Sequence, residues 1–218
     1  MPKLDFSGGL PSSEVLLSYN PDLIILHTAN YASDGVYENY SKIAPTYVFS
    51  NAAGDLEKSL VTIGELLGKS AEAEQALQSY HQKVDEAKAK LEQSIAGKKV
   101  AIIRFASKGV SLMGGNYFCG YVINQHLGIE MTELAKNENS LNLSMEILPE
   151  LDADYIFLIN AYGQGTERMK EMTESSIWKG IPAVQQGHVY EVSDEYWLGS
   201  GLIAYEKIID DTVKLLTE

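Results

Sequence analysis

Cysteine is nearly absent. Cys119 stands alone in 218 residues, which excludes an internal disulfide framework and a multi-cysteine metal site. It has no obvious histidine partner in the sequence and reads as a packed thiol. Histidine is scarce: His27, His81, His126 and His188 are scattered, with no zinc spacing such as His-Glu-x-x-His. Neither a G-x-S-x-G nor a Walker sequence occurs. Arginine is scarcer still, with only Arg104 and Arg168. Basic residues number 17 against 30 acidic ones, for a formal net charge of −13. Such a chain repels a phosphate backbone, so no nucleic-acid partner is expected; the charge reads as a source of solubility. No apolar run approaches the ~20 residues that cross a bilayer. The opening Met1-Pro2-Lys3-Leu4-Asp5, leading into glycine-rich sequence, does not read as a signal peptide.

What is present is ordinary globular material, 45% hydrophobic and 22% charged, enough for one large domain or two small ones. Residues 23–26 form a continuous apolar run that reads as a buried parallel strand. A short helix is expected over 36–42, a strand over 46–49, and a helix opening at Asp55 with Leu56, Leu60, Ile63 and Leu67 on one face. The pattern over 70–96 is longer: Ala73, Leu77, Tyr80, Val84, Ala87, Leu91 and Ile95 recur at spacings of three and four with no Pro or Gly between. At 1.5 Å per residue this helix is about 40 Å long, a length suited to a helix lying across two lobes. Beyond Gly97, strands are expected over 99–105, 111–113, 155–159 and 189–192, and helices over 120–127, 144–151, 166–178 and 201–216. Strand and helix alternate on both sides of the long helix, which predicts an α/β fold with mostly parallel sheets.

Residues 12–26 (S-S-E-V-L-L-S-Y-N-P-D-L-I-I-L) match residues 144–158 (S-M-E-I-L-P-E-L-D-A-D-Y-I-F-L) in register. Each segment reads as a short helix with a glutamate in its first turn, where the helix dipole favours it, then a tight turn and a buried strand. The repeat predicts two similar lobes: residues 1–69, a connecting helix over 70–97, and residues 98–218.

These segments, with Y-S-K-I-A-P-T-Y-V from Tyr40, K-K-V-A-I-I-R from Lys98 and W-K-G-I-P-A-V-Q-Q-G-H-V-Y-E-V from Trp178, resemble the helical-backbone substrate-binding proteins of ABC importers. That family carries ferric siderophores, haem or vitamin B12. The resemblance covers nearly the whole chain. It implies two α/β lobes joined by one long helix, a ligand held in the cleft between them, no enzymatic activity, no cofactor and no directly bound metal. Expected partners are a ferric siderophore and a membrane permease, and the protein is expected to act as an extracytoplasmic monomer, lipid-anchored in some members. Family members carry a further strand–helix–strand portion and a leader ahead of the position of Glu14, so the first lobe is expected to be incomplete. One glutamate on each lobe docks on permease arginines in the family, and Glu14 and Glu146 occupy those places.

Ligand contacts belong on loops at strand ends that face a cleft. Tyr31 follows strand 23–26. Arg104 sits at the end of the apolar strand run 100–103 and, at the end of a buried strand, needs an anionic partner or solvent; a salt bridge to a nearby carboxylate is the structural alternative. Tyr117 and Phe118 follow Gly114-Gly115-Asn116, Tyr162 follows strand 155–159, and Tyr196 and Trp197 follow strand 189–192. Aromatics there give rigid apolar contact with a polar tip; core packing is the alternative for each, and Trp178 is expected in the core. The alternative functions are a haem protein, with Tyr31, Tyr117 or Tyr196 as axial ligand, a cobalamin binder, an α/β enzyme, or a structural surface protein. Among siderophores, a neutral hydroxamate complex suits a cleft with one arginine better than a charged catecholate does.

Overall fold

The computed structural model describes residue 4 and residues 9–52, 55–116 and 118–217. The chain divides into two units, Met1–Ala73 and Glu74–Glu218.

In the first unit, helix α1 (Ser13–Tyr19) starts at Ser12, whose hydroxyl accepts the Val15 N–H at 3.3 Å, and stops at Asn20 in the left-handed region. Pro21 follows and cannot continue a helix. The chain then enters β1 (Ile24–Leu26), crosses over through α2 (Val36–Tyr40), and returns as β2 (Thr46–Val48), parallel to β1. Leu16, Ile24, Leu26, Tyr40 and Ala44 form the core, and the Tyr40 hydroxyl donates to the Pro11 carbonyl. Asp55 caps α3 (Leu56–Leu66) by accepting the Lys58 N–H.

Helix α4 (Ser70–Ile95) straddles the division in sequence. Its buried positions are Ala73, Leu77, Tyr80, Val84, Ala87, Leu91 and Ile95, the stripe that the spacing predicts, and Gly97 ends it at φ 74°.

The second unit is built on β3 (Lys99–Ala106), β4 (Gly109–Met113), β5 (Glu130–Met131), β6 (Ser140–Asn142), β7 (Tyr155–Asn160) and β8 (Val189–Val192). The order is β6-β4-β3-β7-β8, with β5 beside the start of β3. Strands β3, β5, β7 and β8 are parallel; β4 runs against β3, and β6, antiparallel to β4, takes the direction of β3 again. The helices are α5 (Phe118–Tyr121), α6 (Thr166–Glu174), α7 (Ser176–Lys179), α8 (Pro182–Gln185), α9 (Asp194–Trp197) and α10 (Leu202–Thr217). One sheet face, with Ala101, Ile103, Phe105, Ile156 and Leu158, packs on Met172 of α6, Trp178 of α7 and Ala183 of α8. On the other face Phe157 meets Trp197 of α9. The α/β class and the mostly parallel sheet are those the sequence predicts.

Three predicted helices differ in detail. Residues 144–151 form a turn and a single 3-10 turn (Leu148–Glu150); Pro149 has no N–H to return to the Met145 carbonyl, so an α-helix cannot be closed there. Residues 166–178 break at Ser175, whose extended backbone and hydroxyl restart the chain as α7 by accepting the Trp178 N–H at 3.1 Å. The helix expected over 120–127 begins at Phe118 and widens into a π-helical turn (Val122–His126). The start of α5 also lies against the end of β4: a Cβ on Gly120 would meet the Gly114 carbonyl oxygen at 1.9 Å, so only glycine fits.

The two halves of the repeat keep their register. The Leu16 N–H donates to the Ser12 carbonyl at 3.1 Å, and the Leu148 N–H donates to the Ser144 carbonyl at 3.1 Å. Both leucines are buried, and Glu14 and Glu146 are both exposed.

Candidate functional site

In the second unit the parallel strands end on a common edge. Arg104 of β3 is level with Ile159 of β7, which is level with Val192 of β8. Paired residues of neighbouring strands point to one face, so the Arg104 side chain shares a face with Ile159, Val192 and Ser111. Tyr162 and Tyr196 lie in the loop and the short helix that follow β7 and β8.

Arg104 lies two residues inside the end of β3, half-buried. Among the described residues no carboxylate lies within ion-pair reach of it. The start of the same strand is the opposite case. The Lys98 ammonium is 2.8 Å from Asp154, and that of Lys99 is 2.7 Å from Asp152 and 3.2 Å from Glu133. Burial alone would push the Asp152 carboxyl up, but the Lys99 ammonium, the Thr132 hydroxyl and the Glu133 N–H together hold it below the usual range. Asp154 is likewise held down, against its burial, by Lys98 and the Lys99 N–H. Hydrogen bonds that the two ammonium groups donate to these carboxylates raise both lysines. The cations at the start of β3 are thus paired internally, whereas Arg104 has no carboxylate partner among the described residues.

Tyr162 is 72% exposed and sits at φ 53°. Its N–H donates to the Asp194 carboxylate at 2.5 Å. Tyr196 is half-buried, with the Lys207 ammonium 5.2 Å from its ring centre. Phe118 is half-buried at φ 49°. It follows an antiparallel strand whose last residue, Met113, is level with Ile102, so the strand-end argument that gathers Tyr162 and Tyr196 does not extend to it. Tyr117 lies outside the described residues.

Trp197 corrects the expectation of a ligand contact. It is fully buried, its ring 4.8 Å from that of Phe157 and its Nε1–H donating to Asp211 of α10 at 2.9 Å. The indole has no free face; it anchors α9. Trp178 is in the core as predicted. Cys119 is fully buried, and burial pushes its thiol up to about 12, so it is no nucleophile at neutral pH.

In the first unit Tyr31 lies in the single 3-10 turn after β1, 39% exposed, its ring edge-on to His27 at 4.8 Å. Together with Leu26, His27 and Tyr40 it lines an apolar pocket of about 310 Å³. Glu14 stands on α1 beside Val15, Leu17 and Tyr19, all of them exposed.

Asp194 is the residue that sequence reasoning missed. Ser193-Asp194-Glu195 is a helix-start signature, and Ser193 does accept the Glu195 N–H.

The sequence model of the periplasmic binding protein family matches residues 7–196. The iron(3+)-hydroxamate-binding protein FhuD of Bacillus subtilis is 31% identical over 188 residues, 83% of this chain and 58% of that protein. The probable siderophore-binding lipoprotein YfiY of the same organism is 26% identical, over 92% of this chain and 65% of its own length. The chain therefore spans less than two thirds of these curated relatives. Among solved structures, a FhuD fold-family component of a ferrichrome ABC transporter from Bacillus subtilis superposes with a TM-score of 0.80 at 28% identity, covering 94% of this chain and 78% of that one. Staphylococcus aureus SirA complexed with staphyloferrin B gives 0.79 at 26% identity, covering 95% and 75%. With the family model matching most of its length, the chain belongs to the periplasmic binding protein family.

Proposed function

We propose that the chain is the extracytoplasmic solute-binding part of an ABC iron importer, which takes a ferric siderophore, hydroxamate type favoured, and hands it to a membrane permease without chemical turnover. Arg104 carries the reading: a half-buried cation at the C-terminal edge of a parallel sheet, with no carboxylate among the described residues to neutralise it. A buried-strand arginine in that state calls for an anionic or strongly accepting ligand. Tyr162, Tyr196 and Phe118 from the second lobe, Tyr31 from the first, and Tyr117 supply apolar contact to a ligand's carbon skeleton. The lobes of this reading are residues 1–69 and 98–218, joined by the helix over 70–97. The relatives named for iron-hydroxamate and siderophore binding support this ligand class.

Glu14 and Glu146 are the docking points for permease arginines. Both are exposed at matching places in the repeat, and the exposed Val15 and Leu17 beside Glu14 suit a contact surface. The protein acts as a monomer and needs no cofactor.

Titration of the purified chain with ferrichrome, ferrioxamine B, haem and cobalamin tests the reading, with intrinsic fluorescence as readout. Submicromolar binding of a ferric hydroxamate, with the ligand recovered intact, is the expected result. Quenching by haem or cobalamin alone would reassign the ligand, and breakdown of the ligand would make the protein an enzyme.

A further inference from the structure

We infer that Asp194 is a positioning residue for the ligand-facing aromatics of the second lobe: its carboxylate fixes the backbone of Tyr162 and ties that loop to the helix that carries Tyr196. The inference rests on the reading of Tyr162 and Tyr196 as ligand contacts.

The loop after β7 is unusual in its backbone. Tyr162 (φ 53°, ψ 29°) and Gly163 (φ 67°) are both left-handed. Glycine tolerates this, but a bulky residue seldom does, and it persists only where its surroundings impose it. The Tyr162 ring cannot supply that constraint, because the residue is 72% exposed. The constraint comes from hydrogen bonds to the backbone. On one side Asn160 brackets the loop, its Oδ1 accepting the Gly165 N–H at 2.9 Å and its Nδ2 donating to the Thr166 hydroxyl at 2.9 Å. Thr166 in turn donates to the Gly163 carbonyl at 3.0 Å. On the other side the Tyr162 N–H donates to Asp194 Oδ2 at 2.5 Å, a charge-assisted bond of the stronger kind.

Asp194 is itself held. It opens α9, a helix anchored at its far end by buried Trp197, whose indole N–H reaches Asp211. A rigid path therefore runs from the core through α9 to an exposed tyrosine on a different loop, and Tyr196 stands on the same short helix. An exposed aromatic fixed in advance loses less freedom when a ligand arrives. A carboxylate in a first helical turn also has a purely structural use, so the test has to separate the two roles.

The test is a double-mutant cycle on the purified chain with ferrichrome as probe. Tyr162→Ala and Asp194→Ala each weaken binding by about tenfold, within the range for neighbouring coupled residues. The double variant binds no more weakly than Tyr162→Ala. Asp194→Asn, whose Oδ1 still accepts, recovers most of the affinity. In the free protein the Tyr162 amide proton resonance moves upfield in Asp194→Ala and stays near its place in Asp194→Asn. Asp194→Ser, too short to reach the amide yet suited to a helix start, carries the same comparison if Asp194→Ala fails to fold. Losses that add in the double variant, or wild-type affinity in Asp194→Ala beside a weakened Tyr162→Ala, overturn the inference alone. Wild-type ferrichrome affinity in Tyr162→Ala removes Tyr162 from the site and takes the inference with it.

Discussion

Arg104 is where one side chain decides most. Its neighbours across the sheet, Ser111 and Ile159, offer no countercharge, which is why the proposed site assigns its guanidinium to ligand oxygens. Replacing it by alanine is expected to cost about 1.5–3 kcal/mol of ferric-hydroxamate affinity, the range for hydrogen bonds to a charged group. Calorimetric titration reads this directly, and an Arg104→Ala protein with wild-type affinity would take the residue out of the site. Trp197 is the contrasting case. Trp197→Phe keeps the ring against Phe157 but loses the bond to Asp211. Stability should fall by about 1.5–3 kcal/mol, as for any bond to a carboxylate, while hydroxamate affinity holds. Lost affinity at unchanged denaturation midpoint would return Trp197 to the ligand. The sequence hides this distinction: Tyr196 and Trp197 stand side by side after a strand and before Gly199-Ser200-Gly201, a context that reads as loop. Only the four-residue helix α9 turns one inward and leaves the other half-buried, and four residues are too few for a 3.6-residue period to register.

Among the elements, legibility follows length. The seven buried positions of α4 can be read from spacing alone because the pattern repeats through seven turns. Strands β5 and β6, of two and three residues, leave no such pattern. The start of β3 makes a further prediction. Asp152 and Asp154 are held below their ordinary range in the folded protein. Such groups contribute stability that is fully present above the ordinary carboxylate value and is lost as pH falls through the depressed one. Stability should therefore decline below about pH 4, and Asp152→Asn and Asp154→Asn should each flatten that decline. Chemical denaturation across the pH range reads the slope, and an unchanged slope in both variants would show that the clamp contributes nothing. The repeat leads to another test. Glu14 and Glu146 are exposed in both copies, one on an α-helix and one on a turn. Charges at the rim of a transient interface govern docking rather than ligand contact. The pair Glu14→Ala and Glu146→Ala, tested in cells that depend on this protein for uptake, should abolish uptake and leave ligand affinity intact. Normal uptake by that double variant would rule the two glutamates out as docking points.

At the scale of the whole molecule, charge bears on the proposed ligand class. The chain carries −13, and its long-range field opposes a multiply charged anion. Local cations could override that field, but few are placed to do so. Lys98 and Lys99 are bound to carboxylates at the start of β3. Lys108 lies in the β3–β4 turn and lines a cleft with Arg168 and Glu171 of α6, the helix on the sheet face opposite Arg104. Arg104 on β3 and Lys207 over the Tyr196 ring are the described cations that remain toward the aromatic edge. Ferric hydroxamates are neutral or weakly charged, and one arginine on their oxygens with tyrosines on the skeleton suits them. Ferric catecholates carry several negative charges and call for a basic cluster. Ferrichrome and ferrioxamine B should accordingly bind more tightly than ferric enterobactin. The gap should narrow as salt screens the repulsion over a Debye length of about 10 Å at 0.1 M. Parallel titrations at low and high ionic strength measure both effects. Tighter binding of enterobactin at low salt would overturn the assignment, because no screening argument can then reconcile that ligand with the charge of this chain.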